Sequence, residues 1–236
     1  MLPVAILAGG LATRLRPITE TIPKALVDVA GRPFAELQVE WLRARGVERI
    51  VFLVGYRGEM IREALGNGRR WNVSLQFVFD GPTLLGTGGA VKRAVPQLGD
   101  AFFVMYGDSY LDCDVSAIEA AYTASGALAL MTILENRNRW DVSNVLFDGS
   151  RLVRYSKRHL TPDMQHIDYG LSVVSRAALD PYPDDEPFDV STVFEDLARA
   201  GRLAAFEVTK RFYEIGSPEG LEETRQHLGK PSKQPG

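Results

Sequence analysis

Short apolar runs alternate with segments of helical periodicity along the first half of the chain. Between the runs, apolar side chains recur every three or four residues. This spacing predicts helices near residues 34–45, 60–66 and 90–95. A glycine-rich loop is expected before the third helix. Uninterrupted apolar strands that alternate with helices are typical of a parallel sheet covered on both faces. The runs themselves predict four strands, at residues 4–8, 50–54, 75–79 and 101–106, of which the first two are expected to be buried.

The pattern changes after about residue 127. Strand-like segments joined by turn residues such as Asp148-Gly149 follow at 128–134, 142–147, 152–155 and 203–208, with one helical segment near 190–200. This half predicts mixed or antiparallel strands added to the parallel core. We therefore expect an α/β fold with a Rossmann-like, mixed but mainly parallel sheet and helices on both faces. One domain is expected over residues 1–228, with residues 229–236 as a disordered tail.

Composition narrows the classes of function. The chain has 236 residues, of which 45% are hydrophobic and 24% charged, with a net charge of −3 and a single cysteine, Cys113. A near-neutral charge disfavours a nucleic-acid partner, and one cysteine can form neither an internal disulfide nor a cysteine-based zinc site. No apolar run is long enough for a membrane span, and the first residues lack the basic region of a signal peptide. We expect a cytoplasmic protein without nucleic-acid or membrane partners.

The loop after the first predicted strand has the residues that bind phosphate. Gly9 and Gly10 allow close approach of the backbone to a ligand, and Arg14, Arg16 and Lys24 add positive charge. In a parallel sheet this loop lies at the carboxyl edge, where ligands bind. A glycine turn with solvated basic residues is the alternative interpretation of the same pattern.

Neither standard phosphate motif is present in the chain. The lysine-containing P-loop pattern is absent, and Val91 stands where the third glycine of G-x-G-x-x-G is required after Gly86 and Gly88. A dinucleotide-binding oxidoreductase is therefore disfavoured.

Six segments carry a more specific resemblance. They are residues 9–19 (G-G-L-A-T-R-L-R-P-I-T), 23–26 (P-K-A-L), 85–90 (L-G-T-G-G-A), 107–109 (G-D-S), 155–157 (Y-S-K) and 212–219 (F-Y-E-I-G-S-P-E). In this order and spacing they resemble the signature of sugar-1-phosphate nucleotidylyltransferases, across residues 3 to 225. The chain departs from that pattern at Ala12, Ala25, Ser156 and Glu214, where the family usually has glycine, proline, an acid and aspartate.

The resemblance implies a reaction and a set of roles. It implies the nucleotide-diphospho-sugar transferase fold and the transfer of a nucleoside monophosphate from a nucleoside triphosphate to a sugar 1-phosphate, with pyrophosphate released. Arg14, Lys24 and Asp108 would be catalytic, and Asp108 with Glu214 would hold Mg²⁺. The nucleotide-binding residues implied are Leu7, Ala8, Gly9, Gly10, Asp80, Gly86, Thr87 and Gly88. The sugar-phosphate-binding residues implied are Asn144, Lys157, Asp168 and Gly170.

Substrate choice rests on one short segment. Residues 167–171 (I-D-Y-G-L) are similar to the same segment in D-glycero-D-manno-heptose 1-phosphate guanylyltransferases, which implies GTP and a manno-configured heptose or hexose 1-phosphate. Two alternatives stay open. The first is an enzyme that uses UTP or dTTP with glucose or N-acetylmuramic acid phosphate. The second is a non-catalytic nucleotide-sugar sensor, which the departures at Ala12 and Glu214 allow. As a structural alternative, Tyr169-Gly170 would be an ordinary strand bulge instead of contacting the sugar. Lys157 would likewise be a surface charge without a ligand. A homodimer is the expected assembly.

Overall fold

A nine-stranded sheet crosses the centre of the protein in the computed structural model, which describes residues 1–229. Its spatial order is β10-β9-β11-β6-β1-β4-β5, with β8 paired to β11 and β12 paired to β8. The strands are β1 (Val4–Leu7), β4 (Arg49–Val54), β5 (Ser74–Phe79), β6 (Ala101–Tyr106), β8 (Ala129–Glu135), β9 (Val145–Phe147), β10 (Leu152–Tyr155), β11 (His166–Ser175) and β12 (Leu203–Val208).

Strand direction divides the sheet into two parts. Strands β6, β1, β4 and β5 are parallel, whereas β11 runs antiparallel to both β6 and β8. The Rossmann-like, mainly parallel mixed sheet predicted from the sequence is therefore confirmed. Of the predicted tail, residues 230–236 lie outside the described part of the chain.

Helices and two small ribbons complete the fold. The ribbons pair β2 (Asp28–Val29) with β3 (Arg32–Pro33), and β7 (Ser109–Tyr110) with β13 (Tyr213–Glu214). The helices are α1 (Ile18–Thr21), α2 (Phe34–Ala44), α3 (Gly58–Leu65), α4 (Gly86–Arg93), α5 (Val95–Leu98), α6 (Val115–Ser125), α7 (Val190–Arg199) and α8 (Pro218–Leu228).

The central strands of the sheet are buried on both faces, which explains their uninterrupted apolar runs. Along β1, Val4 and Ile6 belong to one hydrophobic cluster, while Ala5 between them belongs to another on the opposite face. All three are fully buried. Since successive side chains of a strand point to opposite faces, both sets must be apolar when helices cover both.

Two local predictions are wrong. Residues 86–89 form the first turn of α4 rather than a loop, because Gly88 N donates to the carbonyl of Phe188 (2.9 Å) and the segment packs on that residue. Residues 142–144 form a loop rather than the start of a strand. There Ser143 N donates to Asn138 Oδ1 (2.8 Å), and such side-chain partners compete with a strand ladder.

A bulge in β11 shapes the sheet where its two parts meet. The register against β8 shifts between Asp168 and Ser172, and Gly170 has φ +96°, a backbone angle that favours glycine. A side chain at Gly170 would also lie 3.1 Å from Ser109 Oγ. The bulge predicted as the alternative interpretation of Tyr169-Gly170 is therefore present, and it turns Asp168 toward the carboxyl end of β6.

Candidate active site

Two cavities open side by side along the carboxyl edge of the parallel strands. The first cavity, of about 380 Å³, lies over the ends of β1 and β5. The second cavity, of about 370 Å³, lies between the end of β6 and the bulge of β11. Both contain Tyr106, Asp108 and Lys157 in their walls. A ligand in one cavity would therefore meet a ligand in the other at these three side chains.

Most predicted site residues line one of the two cavities. Along the first cavity lie Leu7, Ala8, Gly9, Gly10, Lys24, Asp80, Gly86 and Thr87. Along the second lie Arg14, Asn144, Asp168, Gly170 and Glu214. Arg14 thus borders the cavity of the predicted sugar-phosphate residues, not the cavity of the predicted nucleotide-binding residues.

Gly88 is the exception among the predicted nucleotide-binding residues. A Cβ at this position would lie 2.3 Å from ring atoms of Phe188, so the residue faces α7 and its preceding segment instead of the first cavity. The glycine is needed for close packing of α4. Its role as a ligand contact stays a prediction, and the first cavity is lined by its neighbours Gly86 and Thr87.

Asp108 lies two residues beyond the end of β6 and forms an ion pair with Lys24. Its Oδ2 accepts a hydrogen bond from Lys24 Nζ at 2.7 Å. Gln38, fully buried on α2, donates from Nε2 to the carbonyls of Ser109 (2.9 Å) and Tyr106 (3.3 Å), which flank Gly107-Asp108. The backbone that presents this carboxylate is therefore held from beneath.

Glu214 is brought to Asp108 by the β7–β13 ribbon, in which Glu214 pairs with Ser109. Both carboxylates and the Arg14 guanidinium surround Gly216. A Cβ on that glycine would lie 2.5 Å from Glu214 Oε2, 3.0 Å from Asp108 Oδ2 and 3.2 Å from Arg14 Nη2. A side chain at this point would displace these three charged groups.

The carboxylate of Glu214 is also held by the start of α8. Ser217 Oγ donates to its Oε1 at 2.7 Å, and Gly216 N donates to its Oε2. The positive end of a helix favours a negative charge at this place. The longer side chain, one methylene more than aspartate, thus reaches the same region as Asp108.

The donor set fits a hard divalent cation. Across residues 1–229 no group of three or more Asp, Glu, His or Cys side chains is suited to hold a metal ion. Two neighbouring carboxylates suffice for Mg²⁺, however, because this ion usually keeps water and takes further oxygens from substrate phosphates. Asp108 and Glu214 are the residues that would hold it.

Asp168 forms the floor of the second cavity. Tyr106 OH donates to its Oδ2 (2.8 Å), Gly170 N donates to its Oδ1 (3.0 Å), and its own N–H donates to Asn144 Oδ1 (2.9 Å). Lys157 Nζ lies 3.2 Å from Tyr106 OH. Burial raises the pKa of Asp168 above its usual value, while the charge of Lys157 lowers it in part.

We expect Asp168→Asn to raise the melting temperature at neutral pH. Because the folded pKa of Asp168 lies above the unfolded value of 3.8, the carboxyl favours folding when protonated, and that contribution is lost as the pH rises through the folded pKa. A neutral amide avoids the cost of burying the charge. Thermal unfolding from acidic to neutral pH measures the effect, and the exposed Asp163→Asn serves as the matched control. A lower melting temperature for Asp168→Asn at every pH would contradict the expectation.

Asp80 lies at the inner end of the first cavity and is 6% exposed. Its Oδ2 is 3.4 Å from Leu85 N, and the Arg93 guanidinium donates to the carbonyls of Phe79 (3.1 Å) and Asp80 itself. Burial raises the pKa of this carboxyl. The side chain is therefore an acceptor held in a largely apolar wall.

Ala12 has the left-handed conformation, with φ 48° and ψ 45°. This explains the glycine that the resembling family has here, since a Cβ makes the conformation unfavourable. The buried Thr19 donates from Oγ1 to the Ala12 carbonyl at 2.8 Å and supports the strained turn. The loop between β1 and β2 thus has the left-handed turn that favours glycine, although the residue at the turn is alanine.

Several side chains of the site were not predicted from the sequence. Tyr106 separates the cavities, Gln38 supports the Asp108 turn, and Trp140 lines the second cavity. Tyr106 directly precedes Gly107-Asp108, so its place at the strand end was a usable signal. Gln38 lies within an otherwise ordinary amphipathic helix, and Trp140 within a loop mistaken in part for a strand.

No helix among residues 1–229 combines the length and the hydrophobicity that crossing a bilayer requires.

Comparison with known proteins points to one family. The model of the nucleotidyl transferase family matches residues 4–141. A curated D-glycero-alpha-D-manno-heptose 1-phosphate guanylyltransferase of Campylobacter jejuni is 25% identical over 214 residues, covering 91% of this chain and 94% of the relative. A mannose-1-phosphate guanyltransferase of Schizosaccharomyces pombe is 29% identical over 221 residues and 91% of this chain. The chain spans only 61% of the length of that relative.

One solved structure resembles this chain in both fold and sequence. The crystal structure of HddC from Yersinia pseudotuberculosis complexed with GMP-PN superimposes with a TM-score of 0.76 and 26% identity. The match covers 97% of this chain and all of that protein.

Proposed function

The chain belongs to the nucleotidyl transferase family, and from this membership we propose that it joins a nucleoside triphosphate to a sugar 1-phosphate, forming a nucleotide sugar and pyrophosphate. The observation that carries the proposal is the pair of cavities that share Tyr106, Asp108 and Lys157. Two phosphorylated ligands need adjoining sites with cations at their junction. The first cavity would take the triphosphate and the second the sugar phosphate.

The reaction requires stabilisation of negative charge more than it requires proton transfer. An oxygen of the sugar phosphate attacks the α-phosphorus, a new P–O bond forms, and the bond to the β-phosphate breaks with its electron pair leaving on pyrophosphate. The attacking oxygen is already anionic, so no general base is needed. Bringing two polyanions together and stabilising the charge of the transition state are the tasks that remain.

The cations of the site are distributed to meet these tasks. Lys24, in the first cavity, would contact the α-phosphate, and Lys157, in the shared wall, would hold the sugar phosphate. Arg14 borders the second cavity next to Asp108 and would bind phosphate oxygens at the junction. Mg²⁺ on Asp108 and Glu214 would neutralise phosphate charge when bound.

Guanine is the base that the first cavity suits best. The N1–H and the 2-amino group of guanine are two adjacent donors, which a carboxylate accepts together. Asp80 offers such a carboxylate from a buried position, whereas uracil and thymine offer a single donor. The names of the Campylobacter and Schizosaccharomyces relatives agree with GTP and a manno-configured sugar 1-phosphate.

We expect Asp80→Asn to raise the KM for GTP at least about tenfold, with a smaller effect on UTP. The amide presents a donor to the donor edge of guanine, which loses the paired hydrogen bonds. Burial raises the pKa of Asp80, so its carboxyl becomes protonated at a higher pH than an exposed one. GTP binding to the wild type should therefore weaken under acidic conditions. Steady-state kinetics with GTP, ITP and UTP measure this selectivity, and the exposed Asp180→Asn is the matched control. Equal GTP and UTP losses would count against base recognition by Asp80.

The proposed reaction is tested with four nucleoside triphosphates against mannose, manno-heptose, glucose and N-acetylmuramic acid 1-phosphates, with pyrophosphate release as the readout. GTP with a manno-configured sugar should be fastest. A faster UTP or dTTP reaction would replace the substrate pair but keep the reaction class. No release with any pair would remove the proposed activity for these sugars.

A further inference from the structure

A tryptophan stands at the second cavity without a role in the chemistry described above. Trp140 lines this cavity and is 37% exposed. Two other aromatic residues of the wall are already packed away: Tyr169 is 1% exposed, and the Phe212 ring lies edge-on to it at 5.9 Å. Together with Val142, which is 54% exposed, Trp140 therefore offers accessible apolar surface in a cavity that is otherwise rich in charged and hydrogen-bonding groups, and it is the larger of the two side chains.

The loop that carries Trp140 is held by a buried asparagine. Asn136 is fully buried; its Oδ1 accepts from Trp140 N (3.3 Å), and its Nδ2 donates to the carbonyl of Asp141 (2.6 Å) and to Ser143 Oγ (3.1 Å). Asn138 Oδ1 accepts from Ser143 N at 2.8 Å. The backbone on both sides of the tryptophan is thus fixed by side chains of its own loop.

The indole ring is also held by a cation. The Arg211 guanidinium carbon lies over the ring at 5.0 Å from its centroid, and over the Tyr213 ring at 4.4 Å. Glu223 accepts from Arg211 Nη2 at 2.6 Å. Cation–π contacts of this kind stabilise one orientation of the ring. A half-exposed aromatic side chain that is fixed in place is typical of a preformed ligand contact rather than of a mobile surface residue.

We propose that Trp140 is the apolar platform against which the sugar ring of the substrate packs, and that it selects a pyranose; this inference rests on the proposed function. A pyranose has a face of C–H groups and a rim of hydroxyls. The indole would cover the C–H face, while the side chains of Asp168 and Asn144 would form hydrogen bonds with the hydroxyls of the rim. Apolar contact with a large aromatic ring adds binding energy that open-chain polyol phosphates, which lack such a face, cannot obtain.

Two variants separate this role from a structural one. Trp140→Ala is expected to raise the KM for the sugar 1-phosphate at least about tenfold, with the KM for the nucleoside triphosphate unchanged. Trp140→Phe keeps an aromatic face and should remain within about threefold of the wild type. The matched control is Trp71→Phe, since Trp71 lies outside both cavities.

Binding is followed independently through tryptophan fluorescence. Titration with the preferred sugar 1-phosphate should change the emission of the wild type and of Trp71→Phe, but not that of Trp140→Phe. Inorganic phosphate, which has no ring, should leave the Trp140 emission unchanged.

The outcomes distinguish the two proposals. A wild type that releases no pyrophosphate defeats the proposed function. An active wild type whose Trp140→Ala variant keeps its KM for sugar phosphate overturns the platform role alone. Equal losses for both substrates in Trp140→Ala, without rescue by Trp140→Phe, would also overturn it, because they indicate a general disturbance of the site.

Discussion

Asp108→Asn is expected to lower kcat at least about 100-fold, the scale of losing one electrostatic stabiliser of a transition state. The carboxylate follows β6 at the junction of the two cavities and approaches Glu214 around Gly216. The amide has nearly the same shape, so packing and the support from Gln38 are retained. What the substitution removes is one of the two carboxylates that we propose hold Mg²⁺, and the negative charge that pairs with Lys24.

Pyrophosphate release at saturating substrates measures this effect, and the magnesium concentration for half-maximal rate should rise in the same variant. Asp112→Asn is the matched control: this carboxyl lies four residues away, contacts Arg45 and Lys210, and lines neither cavity. Turnover of Asp108→Asn within about threefold of the wild type would show that the junction carboxylate has no part in the reaction.

Lys24→Ala should lower kcat to a similar extent, at least about 100-fold, for a different reason. Its ammonium group is a cation of the first cavity, 2.7 Å from Asp108 Oδ2 and next to the glycines of the β1 loop. Removing it takes away the positive charge that we propose contacts the α-phosphate, and leaves the Asp108 carboxylate without its ion-pair partner. Lys24→Arg keeps the charge and should recover part of the rate.

Arg16→Ala is the matched control for Lys24, because Arg16 belongs to the same loop, is exposed and lines neither cavity. Kinetics of the three variants under identical conditions separate loss of charge from disturbance of the loop. If Arg16→Ala and Lys24→Ala reduced kcat equally, the effect would belong to the loop and not to the Lys24 ammonium.

Part of the site could be predicted because the parallel half of the sheet obeys a simple rule. Ligand-binding loops follow the carboxyl ends of its strands, which placed Gly9 and Gly10 after β1 at this edge. The family resemblance, and not this rule, implied Asp80 and Asp108. The structure brings all four residues to one edge. Glu214 needed the family resemblance, since only the pairing of β13 with β7 joins it to Asp108.

The remaining residues depend on contacts that no local pattern records. The sequence predicts a loop around Gly88, because it does not show the tertiary contact with Phe188 against which this segment packs as a helix. Gln38 occupies an ordinary helical position, and its two carbonyl partners lie about 70 residues further along the chain. Trp140 stands in a loop whose shape comes from Asn136 and Ser143 side chains rather than from hydrophobic periodicity.

The fate of the α-phosphate tests the central claim most directly. The protein is incubated with GTP labelled at the α-phosphate, Mg²⁺ and a manno-configured sugar 1-phosphate, and the products are separated, with Asp108→Asn as the slow control. We expect the label in a nucleotide sugar, pyrophosphate in equal amount, and neither product when the sugar phosphate is omitted. Release of orthophosphate with labelled GDP, or tight binding of both substrates without any product, would contradict nucleotidyl transfer; the second result would instead identify a sensor.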